Sequence, residues 1–325
     1  MSKLQNSIGW CDDTGNKVIG CDKVSPGCKN CYAAVGTIAR VMRHRAVNPV
    51  ETWGPQGTRI AVADFTAKLR RLNKLCICDG CHDTQPGYRL GKECGMLPAG
   101  QTLADNECQG RLRRIRLFAD SNSDWLDERW EVETLVEFLD EIRRAPNVDV
   151  LILTKRIQDY GIRMQSAIEW AGHQENFPLV DWLIEWTTGN PPPNVWMGVS
   201  VEDNERRTRI GMLKNTPASV RFISFEPLLE DLTSLELSGT DWAIVGYESG
   251  KGRRDPVGGI QPLLSVAQQC VSQGIPVYVK QDGAFKSGHQ GRIPEAIWKL
   301  KQFPNPVKSR SAHGAGIEHS TLNGQ

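Results

Sequence analysis

The chain has 325 residues, which suits one large α/β domain carrying an insertion better than two ordinary domains. Its 39 basic and 38 acidic residues nearly cancel, so a globally cationic nucleic-acid binder is excluded and any polyanion contact must rest on local clusters. No apolar run approaches the roughly 18 residues of a membrane span, no signal-peptide core opens the chain, and ten cysteines, eight of them between Cys21 and Cys108, point to metal sites in a reducing cytosol.

Residues 7–20 read as a short strand or hairpin. They lead into Cys21-Asp22-Lys23-Val24-Ser25-Pro26-Gly27-Cys28-Lys29-Asn30-Cys31, where three thiols fall within eleven residues. Pro26-Gly27 supplies a turn that folds the gap between Cys21 and Cys28. Thiolates converging from so compact a loop suit an iron–sulfur cluster in which three irons are ligated and a fourth stays open to a small molecule. Zinc is the competing reading, because C-x2-C is also half of a zinc site, but no fourth ligand stands close by. A helix is expected over Tyr32 to Arg45. Arg40, Arg43, His44 and Arg45 at its end either complement the helix dipole or contact phosphate.

From about Asn48 to Gly110 the pattern turns to Gly, Pro and Cys, apart from a helix expected over Asp64 to Leu75. This stretch, 48–110, reads as an inserted metal-binding segment. Cys78 and Cys81 form one C-x2-C half-site, which Cys94 and Cys108 complete, with Cys76 and His82 as alternative ligands. Zinc or a second iron–sulfur cluster would serve, and zinc is favoured as a fold-holding staple. Cys11 and Cys270 are expected to be structural.

After Gly110 the chain becomes regular. Apolar runs at Ile115 to Ala119, Val148 to Leu153, Val195 to Val199, Val220 to Ser224, Trp242 to Val245 and Pro276 to Val279 alternate with helical patterns. Among these are Leu135, Phe138, Leu139 and Ile142; Tyr160, Met164 and Ile168; and Leu263, Ala267 and Cys270. Continuously apolar strands alternating with amphipathic helices imply a parallel sheet covered by helices, here a full or partial (β/α) barrel over residues 1–302. Residues 303–325, poor in large apolar side chains, are expected to form a loose tail.

The runs close on Asp120-Ser121, Thr154-Lys155-Arg156, Ser200-Val201-Glu202, Ser224-Phe225-Glu226, Gly246-Tyr247-Glu248 and Lys280-Gln281-Asp282. In a parallel barrel such ends share one rim, where active sites are built. Lys280 is a candidate for contact with an anionic substrate or for proton transfer, with pairing to Glu248 as its structural alternative. Glu226 and Glu248 are candidates for orienting cofactor or substrate. Basic groups gather at Arg111, Arg113, Arg114 and Arg116, at Arg206, Arg207 and Arg209, and at Arg253 and Arg254. Of these, Arg206, Arg207, Arg253 and Arg254 follow strand ends and suit a phosphate backbone, with Trp53, Trp125 or Tyr247 available to stack on an extruded base.

The cluster loop from Gly20 to Ala33 stands in order with Leu153-Thr154-Lys155-Arg156, Gly198-Val199-Ser200-Val201-Glu202, Phe222-Ile223-Ser224-Phe225-Glu226-Pro227-Leu228-Leu229 and Val279-Lys280-Gln281. On these segments the chain resembles a phage-encoded, radical-SAM-like family. Its cysteine spacing is C-x6-C-x2-C where radical SAM proteins usually carry C-x3-C-x2-C.

The resemblance implies a barrel of radical SAM type, a [4Fe-4S] cluster on Cys21, Cys28 and Cys31, and S-adenosylmethionine cleaved to a 5'-deoxyadenosyl radical. It further implies that Asp120, Ser121, Asn122 and Ser123 receive the methionine amino group, that Lys155 or Arg156 pairs with its carboxylate, and that Ser200 and Glu202 hold the ribose. An electron donor such as flavodoxin is implied, in the cytoplasm of a phage-infected host. The expected substrate is a hypermodified pyrimidine in phage DNA, altered by isomerisation, with lyase, transferase or methylation chemistry as other outcomes. A reading of a different class is a non-catalytic, zinc-dependent nucleic-acid-binding protein.

Overall fold

A computed structural model describes residues 8–44, 50–95, 108–250, 252–255, 257–283 and 288–305. Seven strands form one all-parallel sheet in sequence order: β1 (Asp13–Gly15), β2 (Ile115–Ala119), β3 (Val148–Thr154), β4 (Val195–Ser200), β5 (Val220–Phe225), β6 (Trp242–Gly246) and β7 (Val277–Gln281). The sheet curls into a half-barrel, with β1 and β7 as its edges. Of the two architectures expected, full and partial barrel, the partial one is present.

Alternation along each strand sends successive side chains to opposite faces. Leu117, Val150, Ile152, Met197, Ile223, Val245 and Val279 face outward into the larger core. There they meet helices such as Val132–Arg143, which buries Leu135, Val136, Phe138, Leu139 and Ile142 along one side. Phe118, Leu151, Trp196, Phe222, Trp242 and Tyr278 face inward and form a second, aromatic core. Both faces are therefore dry, which is why these strands read as unbroken apolar runs.

The concave side is filled from two directions. Residues 8–11 cross it, and Trp10 packs edge-on against Trp242 at 6.1 Å and tilted against Phe118 at 4.6 Å. Gly9 lies so close to Tyr278 that a Cβ there would come within 2.6 Å of the phenol oxygen, and its φ of +84° favours glycine independently. From the other end Phe303 packs on Trp242 and Tyr278, under the Arg116 guanidinium at 3.8 Å.

Several local expectations are corrected. Of the short strand or hairpin expected over residues 7–20, the strand is present, since residues 13–15 join the parallel sheet beside β2, whereas the antiparallel pairing is made by Val18–Ile19 with the distant Ile60–Ala61. The helix expected from Tyr32 breaks at extended Gly36 into Tyr32–Val35 and Thr37–Arg43, and Arg45 lies outside the described residues. The helix from Asp64 stops at Leu72, because Leu75 begins an antiparallel strand. A helix over Phe177–Thr187 is additional. Its signal was Pro178 at the first turn, with Leu179, Leu183 and Trp186 at helical spacing.

One crossover carries no helix. Residues 226–241, between β5 and β6, run irregularly and bury Leu228, Leu232, Leu235 and Leu237. Gln269 and Gln273, one turn apart on helix Gln261–Ser272, satisfy that backbone in place of a ladder. Gln269 accepts from Leu235 N (2.8 Å) and donates to Leu232 O (2.7 Å), while Gln273 accepts from Leu237 N (3.1 Å) and donates to Leu235 O (2.8 Å).

The 48–110 stretch serves three places. Residues 50–62 run beside the cysteine loop, where Cys21 bridges Trp53. Helix Asp64–Leu72 buries Phe65, Leu69 and Leu72 in the outer core. Strands Leu75–Cys78, Thr84–Pro86 and Leu112–Arg113 form a small antiparallel sheet that leads directly into the N-terminal end of β2. No helix among the described residues is long and apolar enough to cross a membrane.

A Cβ on Gly198 in β4 would lie 2.3 Å from the ring of Phe222 on β5. Gly198→Ala is therefore expected to lower unfolding free energy by about 1–3 kcal/mol through overpacking, read as a lower urea midpoint. Adding Phe222→Leu should recover part of that loss.

Candidate active site at the C-terminal mouth

The C-terminal ends of the strands surround a cavity of about 380 Å³. Its floor is the upper edge of the aromatic core, Trp10 and Phe118. Its wall carries Cys21, Cys28 and Cys31, then Asp120, Ser121, Ser123, Lys155, Arg156, Ser200, Glu226, Glu248 and Lys280. The strand phase explains the gathering. Ser200 and Ser224 are register partners on the inner face, and Lys280 occupies the inward position after Tyr278.

The cysteine loop is held from below and behind. A short 3-10 turn, Pro26–Cys28, carries the middle cysteine. Ser25 donates to the Glu202 carboxylate, whose other oxygen pairs with Arg209 at 2.7 Å. A Cβ on Gly27 would come within 2.5 Å of Glu202, so the loop rests directly on this buried acid. At the loop's entry Gly20 has φ +114°, and a Cβ there would strike the carbonyl oxygens of Thr52 and Thr58. Glu202, fully buried, is thus an anchor for the loop and does not itself line the cavity. Asn122 likewise lies outside the lining, with its amide bonded to Asn16 and its carbonyl accepting from Gly20 N.

Arg156 is the central charge of the wall. It sits 3.3 Å from Asp124 and 3.8 Å from Asp127, and donates to Cys21 Sγ at 3.4 Å. Asp124 also accepts from Thr154 Oγ1 (2.7 Å) and Lys155 N (2.9 Å), while Asp127 pairs with Arg59 at 2.8 Å. Burial, and then Asp124, push the Cys21 thiol up to about 12 against the pull of Arg156. Asp124 and Asp127 were missed from the sequence. Their signal was an acidic pair flanking Trp125-Leu126 directly after the second strand's Asp120.

Lys155 reaches Ser200 Oγ at 2.9 Å and has no carboxylate partner among the described residues. Lys280 pairs with Glu226 at 3.2 Å, which corrects the alternative pairing with Glu248. Glu248 is bound instead by Arg254, through its backbone N at 2.8 Å and its guanidinium, and by Asn30 Nδ2 at 2.9 Å. Burial opposes charge on Glu248, but the Arg254 and Asn30 donors prevail and hold its carboxyl below the usual range. Arg206 is spent on Asp203 and Glu205, and Arg207 on Asn204 and the Ser234 carbonyl. Arg253 donates to the carbonyls of Gly283 (2.6 Å) and Gly250 (3.3 Å) and has no carboxylate partner among the described residues. Of the three aromatics expected to stack on a base, Trp125 and Tyr247 are buried, at 1% and 2% exposure, and Trp53 is half-buried at the cavity.

A family model described as "Protein of unknown function (DUF5131)" matches residues 5–321. The chain belongs to that family. No curated protein and no solved structure matches it.

The two cysteine groups of this family member differ in geometry. Cys78, Cys81, Cys94 and Cys108 bring all four sulfurs within 4.8 Å of one another and can hold a metal ion. They are the only such His, Cys, Asp or Glu group among the described residues, so at least one pair of the Cys21, Cys28 and Cys31 sulfurs lies more than 4.8 Å apart. Cys76, fully buried and donating to the carbonyls of Gln85 and Pro86, is outside the four-cysteine group, as is His82.

Asp120 caps the chain turn at residues 17–18. Its Oδ1 accepts from Lys17 N (2.9 Å), Val18 N (3.0 Å) and Ser123 Oγ (3.0 Å), whereas Oδ2 has no partner among the described residues. Burial outweighs these donors and raises its pKa from 3.8 to about 7. The folded state therefore binds this proton more tightly than the unfolded chain. The stability it contributes is fully present below about pH 4 and is lost as pH rises through about 7. Against Asp120→Asn, the wild-type protein should lose stability over that window in urea titrations, and parallel pH profiles would contradict the assignment.

Proposed function

We propose that the mouth cavity is the active site of a radical S-adenosylmethionine enzyme, with a [4Fe-4S] cluster on Cys21, Cys28 and Cys31. The observation that carries this reading is the convergence of three cysteines, two lysines and several carboxylates on one cavity at the strand C-termini. At least one pair of these sulfurs beyond 4.8 Å is compatible with thiolates on separate irons. When bound, the cluster supplies an electron that cleaves the sulfonium of S-adenosylmethionine to the radical that abstracts a substrate hydrogen.

The protein's share is binding, orientation and exclusion of water. The unpartnered Oδ2 of Asp120, with Ser121 and Ser123 beside it, would receive the methionine ammonium. Lys155 takes the carboxylate, since Arg156 is already committed to Asp124, Asp127 and Cys21. Arg156 places positive charge against the anionic cluster at its Cys21 corner. Ser200 remains available to the ribose. Lys280, paired with Glu226, can give or take a proton at the substrate, and Glu248 orients it from a position fixed by Arg254.

The substrate we propose is a pyrimidine in DNA bearing a 5-substituent, rearranged by isomerisation. A hydrogen on carbon beside nitrogen is a suitable target, because the adjacent lone pair stabilises the radical. Support comes from the resemblance to a phage-encoded family and from Arg253 at the rim. The metal-binding part of the cysteine-rich insertion lies at the other end of β2 and adds no support to it. A flavodoxin-like donor would supply the electron, in the cytoplasm of an infected host.

Anaerobic reconstitution with iron and sulfide should give a brown protein that cleaves S-adenosylmethionine on reduction, and Cys28→Ala should abolish cleavage. A colourless protein with zinc at both cysteine groups and no cleavage would instead establish the non-catalytic nucleic-acid binder. Mass spectrometry of nucleosides from DNA made with and without the protein tests the substrate. Arg253→Ala should lower the salt slope of DNA binding by about one while leaving substrate-free cleavage unchanged.

A further inference from the structure

We infer that Cys78, Cys81, Cys94 and Cys108 form a mononuclear tetrahedral zinc site, structural in role and separate from the mouth. An ion with about 2.3 Å to each sulfur sets about 3.8 Å between sulfurs in a regular tetrahedron. Cys78 and Cys108 stand 3.6 Å apart, and Cys81 and Cys94 stand 3.7 Å apart. Thiolates on separate irons of a cluster cannot come so close. The geometry is therefore that of one ion with no open position, which excludes a second site for binding and reducing a small molecule.

The surroundings are built for sulfur that carries charge. Cys78 Sγ accepts from Gly80 N (3.3 Å) and Cys81 N (3.5 Å), Cys108 Sγ from Gly110 N (3.4 Å), and Cys94 Sγ from Gln85 Nε2 (3.1 Å). Arg89 donates to the Gln85 carbonyl oxygen and so orients the amide whose nitrogen faces Cys94. A Cβ on Gly110 would sit 2.5 Å from Cys78 Sγ, so the two ligand strands approach as closely as glycine permits. Without an ion, this small sheet has among the described residues only Leu112, with partly buried Leu90, to pack among its cysteines. A staple replaces the core it lacks.

The site's place in the fold sets its function. Cys78 pairs with Leu112, and β2 then runs for five residues, about 16 Å at 3.3 Å per residue, before the chain reaches the mouth at Asp120. The ion thus pins the N-terminal end of the half-barrel, the end that carries stability in parallel barrels. This inference is independent of the cluster reading, and its test keeps the two apart. The full chain lacking the mouth thiols (Cys21→Ala, Cys28→Ala, Cys31→Ala) should purify anaerobically with about one zinc per chain and no iron. X-ray absorption should show four sulfur neighbours, and cobalt substitution should give tetrahedral thiolate bands. Gln85→Leu, which leaves all four ligands, should weaken zinc against a competing chelator by roughly 10- to 100-fold. Iron with inorganic sulfide in the triple variant, two disulfides in place of the metal, or unchanged zinc affinity in Gln85→Leu would each overturn the proposal.

Discussion

The Arg156 guanidinium, buried between Asp124 and Asp127 with Cys21 against it, is the interaction on which the mouth depends. It ties the end of β3 to the loop after β2, and through Asp127 and Arg59 it reaches residues 50–62, which flank the cysteine loop. Four chain segments that are distant in sequence are held by one charge. Removing a single partner from such a buried set leaves an uncompensated charge and costs about 3–5 kcal/mol. The arrangement thereby specifies the position of Cys21 as strictly as it contributes to stability.

Around that charge the mouth is assembled from groups already neutralised in pairs. Lys280 has Glu226, Glu248 has Arg254, and Glu202 has Arg209, so the nearly balanced composition is repeated at the scale of the site. Lys155 and the free oxygen of Asp120 are the exceptions, and they lie on the wall where a zwitterionic ligand would offer opposite charges. The pairings also explain why the strand-end arginines that looked like a phosphate stripe reduce to Arg253. Most of that charge is used to hold loops.

The half-barrel divides its two cysteine groups between its ends. At the C-terminal end three thiols line a cavity. At the N-terminal end four converge tightly in a small sheet with almost no core of its own. Separation along β2 lets the second group support the scaffold without sharing the chemistry of the first.

How much of this was legible in the sequence follows from the range of the interactions involved. Strand positions from Ile115 onward, the helices over 132–143, 160–173 and 261–272, the rim residues and both cysteine groups are written in local spacing, because strands buried on both faces leave continuous apolar runs and helices a period of 3.6 within a few residues. Gly36 ended a helix and residues 226–241 formed no helix, and in the latter case the deciding partners, Gln269 and Gln273, lie more than thirty residues away. Likewise only the tertiary structure could make Glu202 the anchor beneath Ser25, give Lys280 to Glu226, and bring Asp124 and Asp127 to Arg156. A sequence shows which residues reach the rim, but charge pairing depends on distances across the curled sheet. Those distances are set by the packing of the aromatic core beneath.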